Sequence, residues 1–276
     1  MSLSIRTNIA SLNAQRNLSS TQSTLDSSMS RLSSGYRITK AGDDAAGLGI
    51  STKLEAQIRS YTQAARNAND GLSVIQSTEA ALGESANILT RLRELAMQSA
   101  SDGIGNTERG YVQQEASSLV NELERIAQVT EYNGTKLLTG GTTLDFQVGI
   151  ANSTNDKISF TSVNATTATG TGLGVTGLSL ASKASAQGAL QTIDDALAAV
   201  SNARSTLGAA GNRLESSIRN IQAFAESLSA ANSRIKDVDI AEETSRMSRA
   251  QILAQSGVSV LAQANQQPQL ALKLLG

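Results

Sequence analysis

The chain has 276 residues and is 39% hydrophobic, but it is only 3% aromatic and has no Trp. Its apolar content rests on Ala, Leu, Ile and Val, which suits slender helix pairs better than a thick globular core built with the large area of rings. It has no Cys and no His, so disulfides, thiolate metal sites and the commonest general base and metal ligand are excluded. With 23 Lys+Arg against 24 Asp+Glu the net charge is −1, and no general nucleic-acid surface is expected.

Residues 1–34 are rich in Ser, Asn, Gln and Thr. Leu18, Leu25, Met29 and Leu32 fall at heptad spacing, while Ile5, Ile9 and Leu12 are one residue out of phase with them. The narrow stripe and many polar residues predict an amphipathic helix too weak to hold alone, disordered in the monomer and helical against a partner. The segment 1–42 is also locally basic. No secretory signal peptide is expected at the N-terminus, because Met1 to Ala10 lacks a contiguous apolar core.

Gly35 ends this helix, and Asp43 and Asp44 suit the start of the next. That helix is expected to run to about Ala100. Its heptad stripe is Leu54, Ile58, Tyr61, Ala65, Ala68, Leu72, Ile75, Glu79, Leu82, Ala86, Leu89 and Arg93, in unbroken steps of three and four. Gly71 and Gly83 read as weak points, each costing about 1 kcal/mol against Ala. Residues 101–106 form a loop, and Thr107 is a candidate cap for a third helix carrying Val112, Ala116, Leu119, Leu123 and Ile126. Asn133-Gly134 marks a turn.

The middle alternates. Leu144, Phe146, Val148 and Ile150, then Ile158 and Phe160, predict a β-hairpin. Residues 161–177, nearly all Thr, Gly, Ala and Val, read as a flexible or thinly packed surface segment. Helix resumes near Ser185 with a second heptad stripe: Leu190, Ile193, Leu197, Val200, Arg204, Leu207, Gly211, Leu214, Ile218, Ile221, Ala225, Leu228, Asn232 and Ile235. The two stripes predict long antiparallel helices from the two halves of the chain. Asp237–Asp239 breaks the pattern, and a last amphipathic segment follows with Ile240, Met247, Ala254, Val258 and Leu261. It leads to Pro268, the only proline, and a tail of Leu270, Leu272, Leu274 and Leu275. An apolar tail of this kind calls for another subunit to bury it. No window of about 18 apolar residues exists, so no membrane span is expected.

No catalytic, cofactor or metal constellation stands out. Gly103-Ile104-Gly105 and the glycines at 170–174 lack a third glycine and a strand-to-helix setting. Asp43-Asp44 and Asp194-Asp195 are adjacent in sequence and do not converge on one helical face. Arg91 to Leu95 is a dense mixed-charge patch, read on spacing as a solvated face. Arg93 lies on the stripe and must reach past the seam or meet a partner. Arg204 and Asn232 interrupt the second stripe, where polar residues can fix register.

Several motifs stand in one order along the chain. They are Ile5-Arg6-Thr7-Asn8-Ile9-Ala10-Ser11-Leu12-Asn13-Ala14, Leu32-Ser33-Ser34-Gly35-Tyr36-Arg37-Ile38, Asp43-Asp44-Ala45-Ala46-Gly47-Leu48, the run from Arg91 to Gln98, and Glu131-Tyr132-Asn133-Gly134-Thr135-Lys136-Leu137-Leu138. Near the C-terminus come Ser233-Arg234-Ile235-Lys236-Asp237-Val238-Asp239, Met247-Ser248-Arg249-Ala250-Gln251-Ile252-Leu253, and Val260 through Pro268. Together they resemble bacterial flagellins over roughly residues 1–140 and 185–276.

The resemblance implies a mainly α fold: a long antiparallel coiled-coil rod made by the N- and C-terminal halves, with a small β-hairpin in the middle. Residues 1–42 and 236–276 would form an inner filament core, 43–140 and 178–235 the rod, and 141–177 a short hairpin and loop without a large outer domain. It implies a non-enzymatic, self-polymerising filament subunit that leaves the cell by flagellar type III export. The implied partners are further copies of itself, an export chaperone and gate, hook-associated junction proteins and a cap. The self-assembly residues would be Ile5, Ile9, Leu12, Leu18, Leu25, Met29, Leu32, Ile240, Met247, Val258, Leu261, Leu270, Leu272, Leu274 and Leu275. The family's patch for a Toll-like receptor of animal hosts maps onto Arg91, Arg93, Glu94, Leu95 and Glu115, with Thr90 where many recognised flagellins carry Gln. Two rival readings stand beside this one: a hook–filament junction protein, and a cytoplasmic coiled-coil scaffold.

Overall fold

The computed structural model describes residues 7–170 and 172–275, with side chains described as far as Gln266. Ile5, Leu270, Leu272, Leu274 and Leu275 therefore lie outside the residues whose side chains are described. Among the described residues five α-helices are seen: α1 (Ile9–Ser34), α2 (Ala45–Ala100), α3 (Asn106–Val129), α4 (Lys183–Lys236) and α5 (Ile240–Leu275). Four short strands, β1 (Glu131–Tyr132), β2 (Thr135–Lys136), β3 (Thr143–Gln147) and β4 (Lys157–Thr161), form two antiparallel hairpins. The chain divides into two compact units, 59–226 and 1–58 with 227–276.

The unit 59–226 holds one hydrophobic core, to which α2, α3, α4, the second hairpin and the segment after it all contribute. Helices α2 and α4 run antiparallel, as the two stripes predict. Tyr61 stacks on Phe224, Glu79 pairs with Arg204 at 3.7 Å, and Arg93 donates to Asp194 at 2.6 Å. The partners descend in one helix as they rise in the other. Glu79 and Arg204, one polar interruption from each stripe, thus meet each other. Gly211 faces Leu72 and Ile75, where an added Cβ would find ordinary contact at 3.9 and 3.8 Å.

The buried line on α2 is turned from the one expected. Ala68, Ile75, Leu82 and Leu89 belong to both, but Ala64, Gly71, Thr78, Ser85, Leu92, Ala96 and Ser99 complete it in steps of three and four. The cause is the number of neighbours. Arg91 on α2 reaches Glu115 on α3, Arg93 reaches α4, and Gly71 lies under the Phe146 ring of β3. The buried hydroxyls are satisfied: Thr78 donates to the Val74 carbonyl (2.7 Å), Ser85 to Ala81 (3.0 Å) and Ser99 to Leu180. A bonded hydroxyl is tolerated in a core where a free one is not.

Two further local expectations need correction. Thr107 does not cap α3, whose N-cap is Gly105 without a side-chain bond. Instead the buried Arg109 turns back and donates to the carbonyls of Ser99 (3.0 Å) and Ser101 (2.8 Å), closing the C-terminus of α2. Residues 161–177 are not thinly packed either. Ala165, Leu173 and Val175 are buried, and the Glu124 carboxylate on α3 accepts from the Thr167 amide (2.7 Å) and hydroxyl (2.8 Å). The Gln113 side chain bonds the Leu178 carbonyl and the Leu180 amide, which fixes the segment's end.

Both hairpins follow their sequences. Asn133 (φ 48°) and Gly134 (φ 77°) make the two-residue turn between β1 and β2, a pairing the sequence reading left as a bare turn. The second hairpin forms as the alternation predicts, and its register pairs Leu144 with Phe160 and Phe146 with Ile158.

In the other unit, α1 and α5 pack on each other, and the ends of α2 and α4 join them. Gly35, at φ 75°, closes α1 by donating to the Arg31 carbonyl. The two chain breaks then pair: the Arg37 amide donates to Lys236 (2.6 Å) and the Val238 amide to Gly35 (3.0 Å). Asp44 starts α2 by accepting the Gly47 amide (2.8 Å), while Asp43 holds the preceding turn through the amides of Thr39 and Lys40. The buried Ser51 on α2 donates to the half-buried Asn232 on α4 at 2.7 Å, a polar contact at a stripe position.

Candidate assembly surface

Helices α1 and α5 are antiparallel. The Asn8 side-chain amide donates to the Ala264 carbonyl (2.8 Å), the Ser11 hydroxyl to Asn265 (2.8 Å), and Arg31 at the far end of α1 pairs with Glu243 at 3.9 Å. The inward line on α1 is Ser11, Ala14, Leu18, Thr21, Leu25, Ser28 and Leu32. Its counterpart on α5 is Glu243, Met247, Ala250, Ala254, Gly257, Leu261 and Ala264. Both advance by three and four, so each helix gives a coiled-coil seam to the other. Small residues alternate with larger ones along the seam, and Gly257 is one reason the helices approach closely: a Cβ there would lie 3.3 Å from Leu18 Cδ1.

This placement divides the candidate self-assembly residues. Leu18, Leu25, Leu32, Met247 and Leu261 face the intramolecular seam and are partly buried within the chain. Ile9 (66% exposed), Leu12 (49%), Met29 (55%), Ile240 (68%) and Val258 (56%) face away from it. The one-residue phase slip of Ile9 and Leu12 is thus a change of face. Ile252, Leu253 and Val260 are also more than half exposed, and the sequence reading missed them because they fall off its heptad line. A search of α5 for a second apolar line would have found them.

At the junction of α1, the 39–43 turn and α5, Arg31 lies between Asp43 (3.6 Å) and the buried Glu243. Hydrogen bonds from the Thr39 and Lys40 amides and the Thr39 hydroxyl hold Asp43 below the ordinary Asp range. Lys236 meets Glu55 at 2.5 Å and lies 4.4 Å above the Tyr36 ring; the Glu55 contact pushes its pKa up.

The second candidate patch is also resolved into parts. The Arg91 guanidinium donates to Glu115 (2.8 and 3.0 Å) and to Glu94 (2.9 Å), an exposed cluster joining α2 to α3. Arg93 is engaged by Asp194 of α4, so it reaches past the seam to an intramolecular partner. Leu95 does not belong to a surface patch. It is 2% exposed and sits in the core, because it projects from the buried side of α2. Among the described residues no group of carboxylates is placed to hold a metal, and no helix is long and apolar enough to cross a membrane.

Two family models match the chain: the bacterial flagellin N-terminal helical region over residues 5–143, and the bacterial flagellin C-terminal helical region over 190–275. The chain is 44% identical over 272 residues to a flagellin of Halalkalibacterium halodurans, covering 98% of this chain and 99% of that one. It is 38% identical over 286 residues to a flagellar filament 33 kDa core protein of Treponema phagedenis, with the same coverage. Among solved structures, Bacillus cereus flagellin aligns with TM-score 0.50 and 28% identity over 56% of this chain and 88% of that one. With paired helical ends, family models on both and full-length relatives, the chain belongs to the bacterial flagellins, structural subunits of the flagellar filament.

Proposed function

We propose that this flagellin polymerises by coupled ordering of its two ends. The observation that carries the reading is the apolar surface left on the α1–α5 pair, from Ile9 and Leu12 through Ile252, Leu253 and Val260. A two-helix seam in which leucines alternate with Ser, Thr, Ala and Gly buries limited area, so the pair is a weak structure alone. The aliphatic side chains of that exposed surface are already about half covered within the chain, so each one covered by a neighbouring copy contributes about 1–2 kcal/mol, against the conformational entropy of ordering the helices. The leucines of the tail would add to that buried surface. The subunit therefore persists as a monomer with loose ends and becomes fully helical on the growing polymer.

In this reading the chain is exported through the flagellar type III channel with the help of a chaperone and the export gate. It joins a filament outside the cell between junction proteins and a cap. A Toll-like receptor would read the exposed Arg91–Glu94–Glu115 cluster, with Leu95 supporting it from within the core. Removal of residues 1–34 or 254–276 tests the assembly reading. Each truncated protein is expected to stay folded in its remaining unit and to form no filament when seeded, as seen by electron microscopy. An undiminished filament from either would refute it.

A further inference from the structure

The α1–α5 pair has two different sides. Along one runs a groove of about 900 Å³ between α1, the 39–43 turn and α5, floored by Leu18 and Val258 and lined by amides and hydroxyls. Asp26 stands in its wall, exposed, touched by the Gln22 amide (3.1 Å) and by no cation among the described residues. Along the other side, Arg249, Ala250 and Leu253 of α5 edge a smaller depression against Ser20 and Thr24 of α1. Arg249 is exposed and meets no carboxylate among the described residues, whereas Arg246 is already engaged by Glu242 at 2.6 Å. Leu253 beside it is 53% exposed. One side therefore offers an apolar-floored groove lined by the unpaired Asp26 and also by Lys40, and the other a helix edge with an exposed apolar side chain and an unpaired positive charge.

Neither side is complementary to itself. A subunit with two unlike matching faces associates head to tail, which gives an open polymer where a self-complementary patch would give a closed dimer. We propose that, in the polymer, the exposed Arg249–Leu253 edge of α5 in one copy lies along the Asp26 groove of the next, Leu253 meeting Val258 and Arg249 meeting Asp26. This rests on the polymerisation reading and names the surfaces that carry it.

Charge exchange tests the pairing in the full-length protein, with elongation of wild-type seeds followed by light scattering. Asp26→Arg and Arg249→Asp should each slow elongation by about tenfold or more, since each sets like charges against each other at the contact. Polymerisation of the double variant from its own seeds should recover to within about threefold of wild type. Both positions are exposed, so the melting curves of the monomers should be unchanged. Unimpaired single variants, or a double variant no better than the worse single one, would overturn the assignment while leaving polymerisation intact. Wild-type monomer that fails to extend its own seeds would remove the polymerisation reading itself, and this pairing with it.

Discussion

Gly71 and Gly83 show how much one residue's setting matters. From sequence the two glycines of α2 are equivalent weak points. In the fold, a Cβ on Gly71 would stand 2.9 Å from the Phe146 ring, while one on Gly83 would meet nothing within 4 Å. Gly71 is the place where the hairpin is laid against the helix, and Asn67 one turn earlier reinforces it by donating to the Gln147 carbonyl (3.2 Å). Opposite outcomes follow. Gly83→Ala should raise the monomer's stability by about 0.5–1 kcal/mol through helix propensity alone. Gly71→Ala gains the same propensity but crowds the ring, and should lower stability by about 1–2 kcal/mol net. Urea unfolding followed by circular dichroism measures both, and a stabilised Gly71→Ala would show that the hairpin does not press on the helix.

Among the elements, the end of α1 and the start of α2 were legible because they depend on local chemistry, whereas the Thr107 cap expected for α3 is not formed. Gly35 takes the left-handed conformation, Asp44 accepts an amide of the first turn, and Asn133-Gly134 makes a two-residue turn. Asp44→Ala should cost about 1 kcal/mol and fray the start of α2, seen as faster amide exchange at Gly47 and Leu48. Protection unchanged at those two amides would mean the helix start is held by other contacts. The buried face of α2 was only half legible. A search for apolar residues passes over Thr78, Ser85 and Ser99, whose burial depends on bonds to Val74, Ala81 and Leu180, the last far along the chain. The same holds for residues 161–177. Their composition suggests looseness, but a carboxylate on α3 and a glutamine at position 113 pin them, and neither partner is visible from within the segment. In the assembly surface, apolar spacing found the inward lines of α1 and α5 but assigned them to a neighbour, because it does not say which helix lies opposite.

For the whole molecule, charge and the missing histidine set the response to pH. Asp43, Asp102, Glu122, Glu124 and Asp194 all lie below their ordinary values in the folded chain, through backbone amides at Asp43, through Lys183 at Asp102, through Arg125 at Glu122, through Gln128 and then Thr167 at Glu124, and through Arg93 at Asp194. A lowered folded pKa means that, on acidification, the unfolded chain binds protons first. The stabilisation is whole above the ordinary values of 3.8 for Asp and 4.5 for Glu and drains away as pH falls through the lower folded values. Lys236 acts in the opposite sense: its raised pKa adds stability below the ordinary 10.5 that is lost as pH climbs through the folded value. With no histidine to titrate between them, the melting temperature of the monomer should be level from about pH 5.5 to 8.5 and fall on the acid side below about pH 4.5. A sigmoidal change centred near pH 6.5 would contradict this.

The contact between Ser51 and Asn232 spans 181 residues, and the one between Arg93 and Asp194 spans 101. Helix α2 thus emerges from the ribosome long before the strand of chain that covers it exists. Contacts so remote in sequence form slowly, because the intervening chain must first be closed into a loop. Until residues beyond about 190 are made, α2 has only α3 and the hairpins to rest on, and its N-terminal third waits longer still. A nascent flagellin of this design remains an open thread for most of its synthesis, because the order in which its halves are wired puts the closing contacts last.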